Sequence, residues 1–443
     1  MSEEQKRGSE TTQQLRIEKA IYGGTSLARL PNGKAAFVPL TLAGEVVEAR
    51  VTEQKRGYAQ AEATTILNPS AERVAPKCRH YGLCGGCSYQ HAEYAAQLGI
   101  KRGILEETLQ RAGVTAPDIT VHSAEPWSYR NRIRMHFTRE NGQLRLGYMQ
   151  RKSNTAFAVE ECPIAAPLLV RAALALSSAL QDATWIDKGM EAEFFCDSAE
   201  SALQIAILGE HSRTSAQDFA DAMMQMQQVV PELTGAGLYL RAEEEATPRE
   251  IAQWGEDSLI LSITSHNYRV TRGAFFQTNR FLAEKLVELV AHEHGGELAW
   301  DLYAGVGLFS LALAENFARV VAVESATPAV RDLQHNLARA GEQHRAIENT
   351  TLAFLERTAA PSSKKPPELI VLDPPRAGLG MEVCKLLAQV GAPGIVYVSC
   401  DPVTLARDLA ALIESGYQLQ PMHLIDLFPQ TFHMETVSIL RKA

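Results

Sequence analysis

The sequence of 443 residues predicts a multi-domain protein: a small β-barrel, an α+β central domain and an α/β doubly wound C-terminal domain. Three observations carry this reading. Short β-rich pieces punctuated by glycine fill the stretch up to Pro69. Strand-like and helical segments then mix without fixed order across 120–270. From Thr271 onward apolar strand-like runs alternate with helical segments, as in βαβ units of a parallel sheet. At roughly 100–200 residues per domain, the length allows two to four domains.

Residues 1–14 are polar, with no apolar stretch leading to a cleavage site, so they are expected as a disordered tail on a cytoplasmic protein. No apolar run approaches the roughly 18 residues that span a bilayer. Over 15–70 the strand-like pieces are Ile17 to Ile21, Ala35 to Pro39, Gly44 to Thr52 and Tyr58 to Leu67, with glycines where tight turns are needed. Counted with the Gly23-Gly24 piece, these make five short elements, which suit a barrel of oligonucleotide-binding type, although any small β domain fits the same pattern. A cysteine cluster follows at 78–87. The helix over 92–113 sets Leu98, Ile104, Leu105 and Leu109 on one side with Gly113 beyond its end, and it can pack on the C-terminal domain. The central domain takes 71–91 and 114–270, with strands at Arg132 to Phe137, Ala192 to Cys196, Leu203 to Leu208 and Leu259 to Ile263. Its helices are Ala166 to Leu180 and Ala216 to Val229. The C-terminal domain, 271–443, has strands at Leu298 to Tyr303, Val320 to Glu324, Leu369 to Asp373 and Ile395 to Ser399. Pro361 to Pro367 reads as a surface loop.

A net charge of −9 argues against a nucleic-acid binder, but the charge is unevenly spread. Residues 1–160 hold 22 Lys or Arg against 16 Asp or Glu, a net of +6, while the remainder carries −15. Such asymmetry points to an acidic partner. Tyr129 to Phe137 alternates basic and apolar residues at the period of a strand. Arg130, Arg132 and Arg134 share one face, and Arg139, Arg145, Arg151 and Lys152 extend the basic character. That face suits phosphate contacts, with Tyr129, Phe137 or Tyr148 available to stack on bases.

Chemistry concentrates in the last third. Asp301-Leu-Tyr-Ala-Gly-Val-Gly307 lies where a strand turns into its helix, and Ser310 breaks the full dinucleotide fingerprint. The shorter pattern suits S-adenosylmethionine, and Glu324, 19 residues beyond Gly305, suits bidentate bonding to ribose hydroxyls. Asp373-Pro-Pro-Arg376 and Ser399-Cys-Asp-Pro402 close two further strands. Ligands in open α/β sheets sit beyond the carboxyl ends of the strands, so Asp301, Glu324, Asp373 and Cys400 should converge on one rim. A strand-end cysteine there is a candidate nucleophile. Of seven cysteines, Cys78, Cys84, Cys87 and distant Cys162 supply four thiolates for zinc or an iron–sulfur cluster, which spacing does not distinguish. Cys196 and Cys384 have apolar surroundings and read as core.

Asp373-Pro-Pro-Arg-Ala-Gly-Leu379 and Ser399-Cys-Asp-Pro-Val-Thr-Leu-Ala-Arg-Asp408 resemble the signature of the RNA uracil-5 methyltransferase family. So do Phe275-Phe-Gln-Thr-Asn279 and Asp426-Leu-Phe-Pro-Gln-Thr-Phe-His-Met-Glu435. The N-terminal barrel resembles a TRAM domain, and the cysteine cluster resembles the iron–sulfur site of the branch acting on 23S ribosomal RNA. The resemblance implies methyl transfer from S-adenosylmethionine to C5 of uracil in structured RNA. It implies Cys400 as the nucleophile at C6 and Glu435 as the base at C5, with His433 a loop hydrogen-bonder. It implies cofactor contacts from Gln277, Tyr303, Glu324 and Asp373, with Asn349 a weaker candidate, and a [4Fe–4S] cluster on the four cysteines with a folding role. A monomer without membrane contact is expected. Transfer-RNA uridine and a non-catalytic RNA-binding role are the competing readings; a radical S-adenosylmethionine enzyme is disfavoured because the Cys-x3-Cys-x2-Cys spacing is absent.

Overall fold

The computed structural model describes residues 12–187, 189–210, 214–241, 248–359 and 365–443. The chain divides into two compact units, one running to Glu107 and including Phe428–His433, the other comprising Thr108–Leu427 and Met434–Ala443.

In the first unit five strands close a barrel in the order Thr12–Ile21, Thr25–Arg29, Ala35–Pro39, Tyr58–Asn68, Val46–Gln54. Alternate side chains such as Leu15, Ile17, Val38, Val47 and Ala59 fill it, as the period of a strand requires. The first strand begins at Thr12, so Thr12, Gln13 and Gln14 pair with Arg50, Ala49 and Glu48 instead of belonging to a tail. Residues 1–11 of the expected tail lie outside the described residues. Thr25–Arg29 is a strand that the sequence pieces above did not name. The helix Tyr94–Arg111, as far as Glu107, also belongs here. From it Gln97 exchanges two hydrogen bonds with Gln430, at 2.9 and 3.0 Å, and the buried Lys101 donates to the Phe428 carbonyl at 2.9 Å. Segment 428–433, placed with 271–443 by sequence, is thus part of the first unit.

The second unit holds two large sheets. A seven-stranded sheet runs Arg249–Gly255, Leu233–Leu240, Leu203–Gly209, Glu191–Cys196, Arg132–Glu140, Gln143–Met149, Ala156–Ala158. Helices Pro167–Ala179 and Ala216–Val229 share its apolar core through Leu169, Leu176, Phe219 and Met223. Arg132 and Arg134 do share a face, but the cross-strand partners Glu191 and Glu193 lie on it too. Arg134 pairs with Glu193 at 2.8 Å, and Arg132 lies 3.5 Å from Glu193 and 3.9 Å over the Phe195 ring. The stripe is therefore largely neutralised on its own sheet, unlike the free phosphate-binding face expected from the sequence.

The larger sheet runs Arg345–Glu348, Phe317–Glu324, Gly296–Leu302, Leu369–Leu372, Gly394–Ser399, Glu435–Lys442, Met422–Ile425, Ile119–His122. Glu435–Lys442 is antiparallel to both neighbours, and Tyr417–Leu419 pairs with it as well. Its central strands are continuous buried runs, Leu369–Leu372 and Gly394–Ser399 above all, as a sheet covered on both faces demands. Two boundaries differ from expectation. Ile119–His122, assigned above to the central domain, pairs in parallel with Met422–Ile425 and extends this sheet. Ser258–Ile263 and His266–Thr271 form a separate hairpin, bound to the helix Thr327–Ala338. Of the expected loop at 361–367, residues 361–364 lie outside the described residues.

Candidate active site

Four parallel strands and one antiparallel strand deliver their ends to one rim. Gly296–Leu302 brings Asp301, which is fully buried. Ser310 Oγ donates to its Oδ2 at 2.5 Å, its Oδ1 has no partner, and burial, with a lesser push from the Glu324 charge, drives its carboxyl up to about 7. The chain then turns through Tyr303 at φ 66° and Gly307 at φ 94° into the helix Leu308–Ala314. A Cβ on Gly307 would lie 2.8 Å from Leu333 Cδ1, and the left-handed φ would strain any other residue there. Over Gly305 a Cβ would meet nothing within 4 Å, leaving that side of the turn open to a ligand.

Glu324 ends the next strand. Its carboxylate accepts from Gly305 N at 2.9 Å and from Ser325 N and Ala326 N at 2.7 Å each. These three backbone donors fix the orientation of the carboxylate. Asn349 sits beside it, its N–H donating to the Glu324 carbonyl at 2.9 Å. Asp373, just past Leu369–Leu372, is half-buried, and its carboxyl is pushed up by burial and by the charge of Asp301.

Strands Gly394–Ser399 and Glu435–Lys442 pair with Ser399 against Thr436. One step further along this antiparallel register places Cys400 opposite Glu435. Glu435 is buried, its Oε1 has no hydrogen-bond partner, and burial and Asp373 hold its carboxyl well above the ordinary range against the opposing pull of Arg376. The half-buried Cys400 thiol is pushed up to about 12 by burial first, then by the charges of Glu435 and Asp373, with Arg376 opposing. Asp401 caps the following helix, Pro402–Glu414, through Val403 N and Thr404 N. Its carboxylate offsets the helix N-terminus that would otherwise favour a thiolate.

Three side chains of that helix grip the loop after Asp373. Thr404 Oγ1 donates to the Arg376 carbonyl at 3.0 Å, Arg407 Nη2 to the Ala377 carbonyl at 2.9 Å, and Asp408 accepts from Leu379 N at 2.7 Å. Asp408 is fully buried and also takes the Tyr397 hydroxyl at 2.9 Å and Arg407 Nε at 2.9 Å. Arg407 therefore sits in an ion pair and binds the loop. Asp408 ends the Ser399–Asp408 motif without an expected role of its own, and the signal for one was an acid on the buried side of an apolar helix.

Gln277 is buried on a segment held by Asn131, whose Nδ2 and N donate to the Gln277 and Thr278 carbonyls at 3.4 and 3.0 Å. Phe276 is buried and Phe275 is two-thirds exposed beside it. His433 belongs to the first unit, stacked 4.0 Å from Phe432.

The cysteines behave differently from the rim. Cys78, Cys84 and Cys87 are half-buried in one loop, none in a disulfide, and Gly86 N donates to Cys84 Sγ at 3.4 Å. Amide–sulfur bonding of this kind suits a thiolate donor set. Among the described residues, however, no three His, Cys, Asp or Glu side chains are gathered as a metal site. Cys196 and Cys384 are buried core residues, as expected.

A doubly wound sheet with a glycine turn, an acidic second strand and a cysteine opposite a buried carboxyl on paired strands defines a methyltransferase-type α/β enzyme. The chain belongs to the tRNA (uracil-5-)-methyltransferase family, which it matches over residues 93–443, and residues 7–64 match the TRAM domain. It is an RNA (uracil-C5)-methyltransferase, and the N-terminal barrel is its TRAM domain. A 23S rRNA (uracil(1939)-C(5))-methyltransferase RlmD of Halomonas elongata is 32% identical over 99% of this chain and 91% of its own. An uncharacterized RNA methyltransferase of Thermotoga maritima is 30% identical over 97% of this chain and 99% of its own. Among solved structures, Pyrococcus abyssi tRNA (uracil-54, C5)-methyltransferase in complex with S-adenosyl-L-homocysteine has the same fold. It gives a TM-score of 0.75 over 96% of this chain and 99% of that one, at 22% identity.

Proposed function

We propose that the protein methylates C5 of a uridine in 23S ribosomal RNA, with Cys400 as nucleophile and Glu435 as base. The observation that carries this is the strand register that sets Cys400 opposite a buried Glu435 whose Oε1 lacks a partner. Uracil C5 is a poor nucleophile until a thiolate adds at C6. As the Cys400 sulfur bonds to C6, its proton passes to the carboxylate of Asp373, whose charge acts on the thiol, and the C5–C6 electrons move through C4 onto its exocyclic carbonyl oxygen. S-adenosylmethionine, when bound, supplies the methyl group that C5 takes. Glu435 in its ionised form, made more basic by burial, then accepts the C5 proton; the ring double bond re-forms and the Cys400 sulfur is expelled.

Gln277, Tyr303, Glu324 and Asp373 are read as the cofactor contacts around the open turn at Gly305. Arg376, the cation that opposes the charges of Asp373 and Glu435, keeps the acidic pocket from excluding an anionic substrate. The target uridine must be out of its stack to reach this rim, and exposed Phe275 offers a face for it. The ribosomal substrate is favoured by relatives named for it that match along nearly the whole chain. Cys78, Cys84, Cys87 and Cys162 are read as ligands of a [4Fe–4S] cluster with a folding role, supported by the likeness of the cysteine cluster to the iron–sulfur site of the 23S ribosomal RNA branch, while the amide-bonded Cys84 sulfur suits a thiolate ligand of either metal.

The test is trapping. Glu435→Gln should accumulate a denaturation-resistant protein–RNA adduct with 23S transcripts while turnover falls at least about a hundredfold. Cys400→Ala should give neither adduct nor product. Normal turnover by Cys400→Ala would remove the nucleophile, and adduct formation with transfer RNA alone would move the substrate.

A further inference from the structure

Asp332 and Asn336 lie one turn apart on the helix Thr327–Ala338, both fully buried. Polar groups in such places are costly unless their bonds are made, and here the bonds leave the helix for two other segments. Asn336 Oδ1 accepts from Arg269 N at 2.8 Å, and its Nδ2 donates to the Arg269 carbonyl at 3.0 Å and the Val306 carbonyl at 2.9 Å. The amide thus acts as a strand partner for His266–Thr271 while holding the carbonyl that lies between Gly305 and Gly307. Asp332 accepts from Thr271 N at 2.6 Å, Thr271 Oγ1 at 2.8 Å and Arg269 Nη1 at 2.9 Å.

Thr271 is the root of the segment that reaches Gln277. That segment is held again by Arg132 Nη1 on the Ala274 carbonyl at 2.7 Å and by Asn131 at Gln277 and Thr278. The helix itself starts just after Glu324. One helix therefore ties together the glycine turn, the Glu324 strand end and the base of the Gln277 segment, three places that are far apart in sequence.

We propose that Asp332 and Asn336 are positioning residues for S-adenosylmethionine, fixing the spacing between the Gly305–Gly307 turn and the Gln277 segment before the ligand arrives. The inference rests on the reading of Gln277, Tyr303 and Glu324 as cofactor contacts. The experiment is calorimetric binding of S-adenosylhomocysteine to the full chain, read beside steady-state kinetics. Asn336→Asp puts a carboxylate oxygen against two carbonyls and should weaken binding about tenfold or more. The KM for the methyl donor should rise in parallel, while kcat at saturating donor and the KM for RNA stay within about threefold. In a Gln277→Ala background the same change should add less than about threefold, because the group being positioned is gone.

Thr271→Val, which removes a single hydroxyl bond to Asp332, keeps the test alive if Asn336→Asp does not fold, and should weaken binding about threefold or more. Wild-type affinity in Asn336→Asp overturns the proposal. So does an equal loss in kcat and in the KM for RNA, which marks general loosening, or a full tenfold effect in the Gln277→Ala background. Glu324→Ala and Gln277→Ala separate the two levels. If both bind normally, the cofactor reading itself falls; if they bind weakly and Asn336→Asp does not, only the positioning role falls.

Discussion

Asp301, Asp373 and Glu435 each carry a carboxyl whose charged form is disfavoured by burial first, and further by the charge of Glu324, Asp301 and Asp373 respectively. Such groups hold protons in the folded chain that they release when unfolded. Between about pH 4, where an unfolded Asp titrates, and about pH 7, where folded Asp301 does, the folded state binds more protons. Stability therefore falls as pH rises through that window. Ionised Asp301 alone costs roughly 4 kcal/mol at neutral pH by this argument. Asp301→Asn should flatten the decline of the thermal midpoint across the window and raise the midpoint at pH 7. A midpoint series parallel to wild type would show that Asp301 does not carry the effect. At this scale the sequence was readable where motifs were dense: Cys400, Glu435, Glu324 and Asp373 all stand on one domain edge. It was silent about Asp332, Asn336 and Asp408, because their work is done with residues that only the fold brings near.

Among elements, the helix Pro402–Glu414 does two things: its cap follows Cys400 directly, and Thr404, Arg407 and Asp408 hold the Arg376 loop. The loop can come this close only because Gly378 stands at φ 72°, where a Cβ would lie 2.4 Å from Asp408 Oδ2. Gly378→Ala should cost about 2–4 kcal/mol from left-handed backbone and steric clash, seen as a lowered unfolding midpoint and slower adduct formation. An unchanged midpoint would mean that the loop yields freely. The parallel strands were legible because strands buried on both faces read as unbroken apolar runs. The Arg132–Arg134 stripe was legible as a strand but not as an ion-paired one. Glu191 and Glu193, which neutralise it, arrive from a strand more than fifty residues further along. Ile119–His122 was illegible altogether, being four residues whose partner lies at Met422–Ile425.

For the molecule as a whole, the basic excess before residue 160 now has to be sought away from the paired Arg132–Arg134 stripe. The barrel remains for RNA, as do the exposed Arg139 and Arg145 on the hairpin strands Arg132–Glu140 and Gln143–Met149 and the exposed Lys152 in the turn that follows. No helix among the described residues is long and apolar enough to cross a membrane. The cluster reading is tested on the full chain. Protein purified without oxygen should carry iron with visible charge-transfer absorbance, and Cys87→Ser should lose both and unfold at lower temperature. Zinc in place of iron, or a metal-free wild type with unchanged stability, would remove it.

The strand Ile119–His122 has a consequence for how the chain is made. Its partner is synthesised some three hundred residues later, a separation seen in the His122–His423 hydrogen bond at 3.1 Å. Everything between, including the seven-stranded sheet, leaves the ribosome while this strand is still alone. Pairing of such long sequence separation is slow, and an unpaired strand is an invitation to other chains. The strand gains its partner only once residues 422–425 have been made, so a chain terminated before them would leave Ile119–His122 without it.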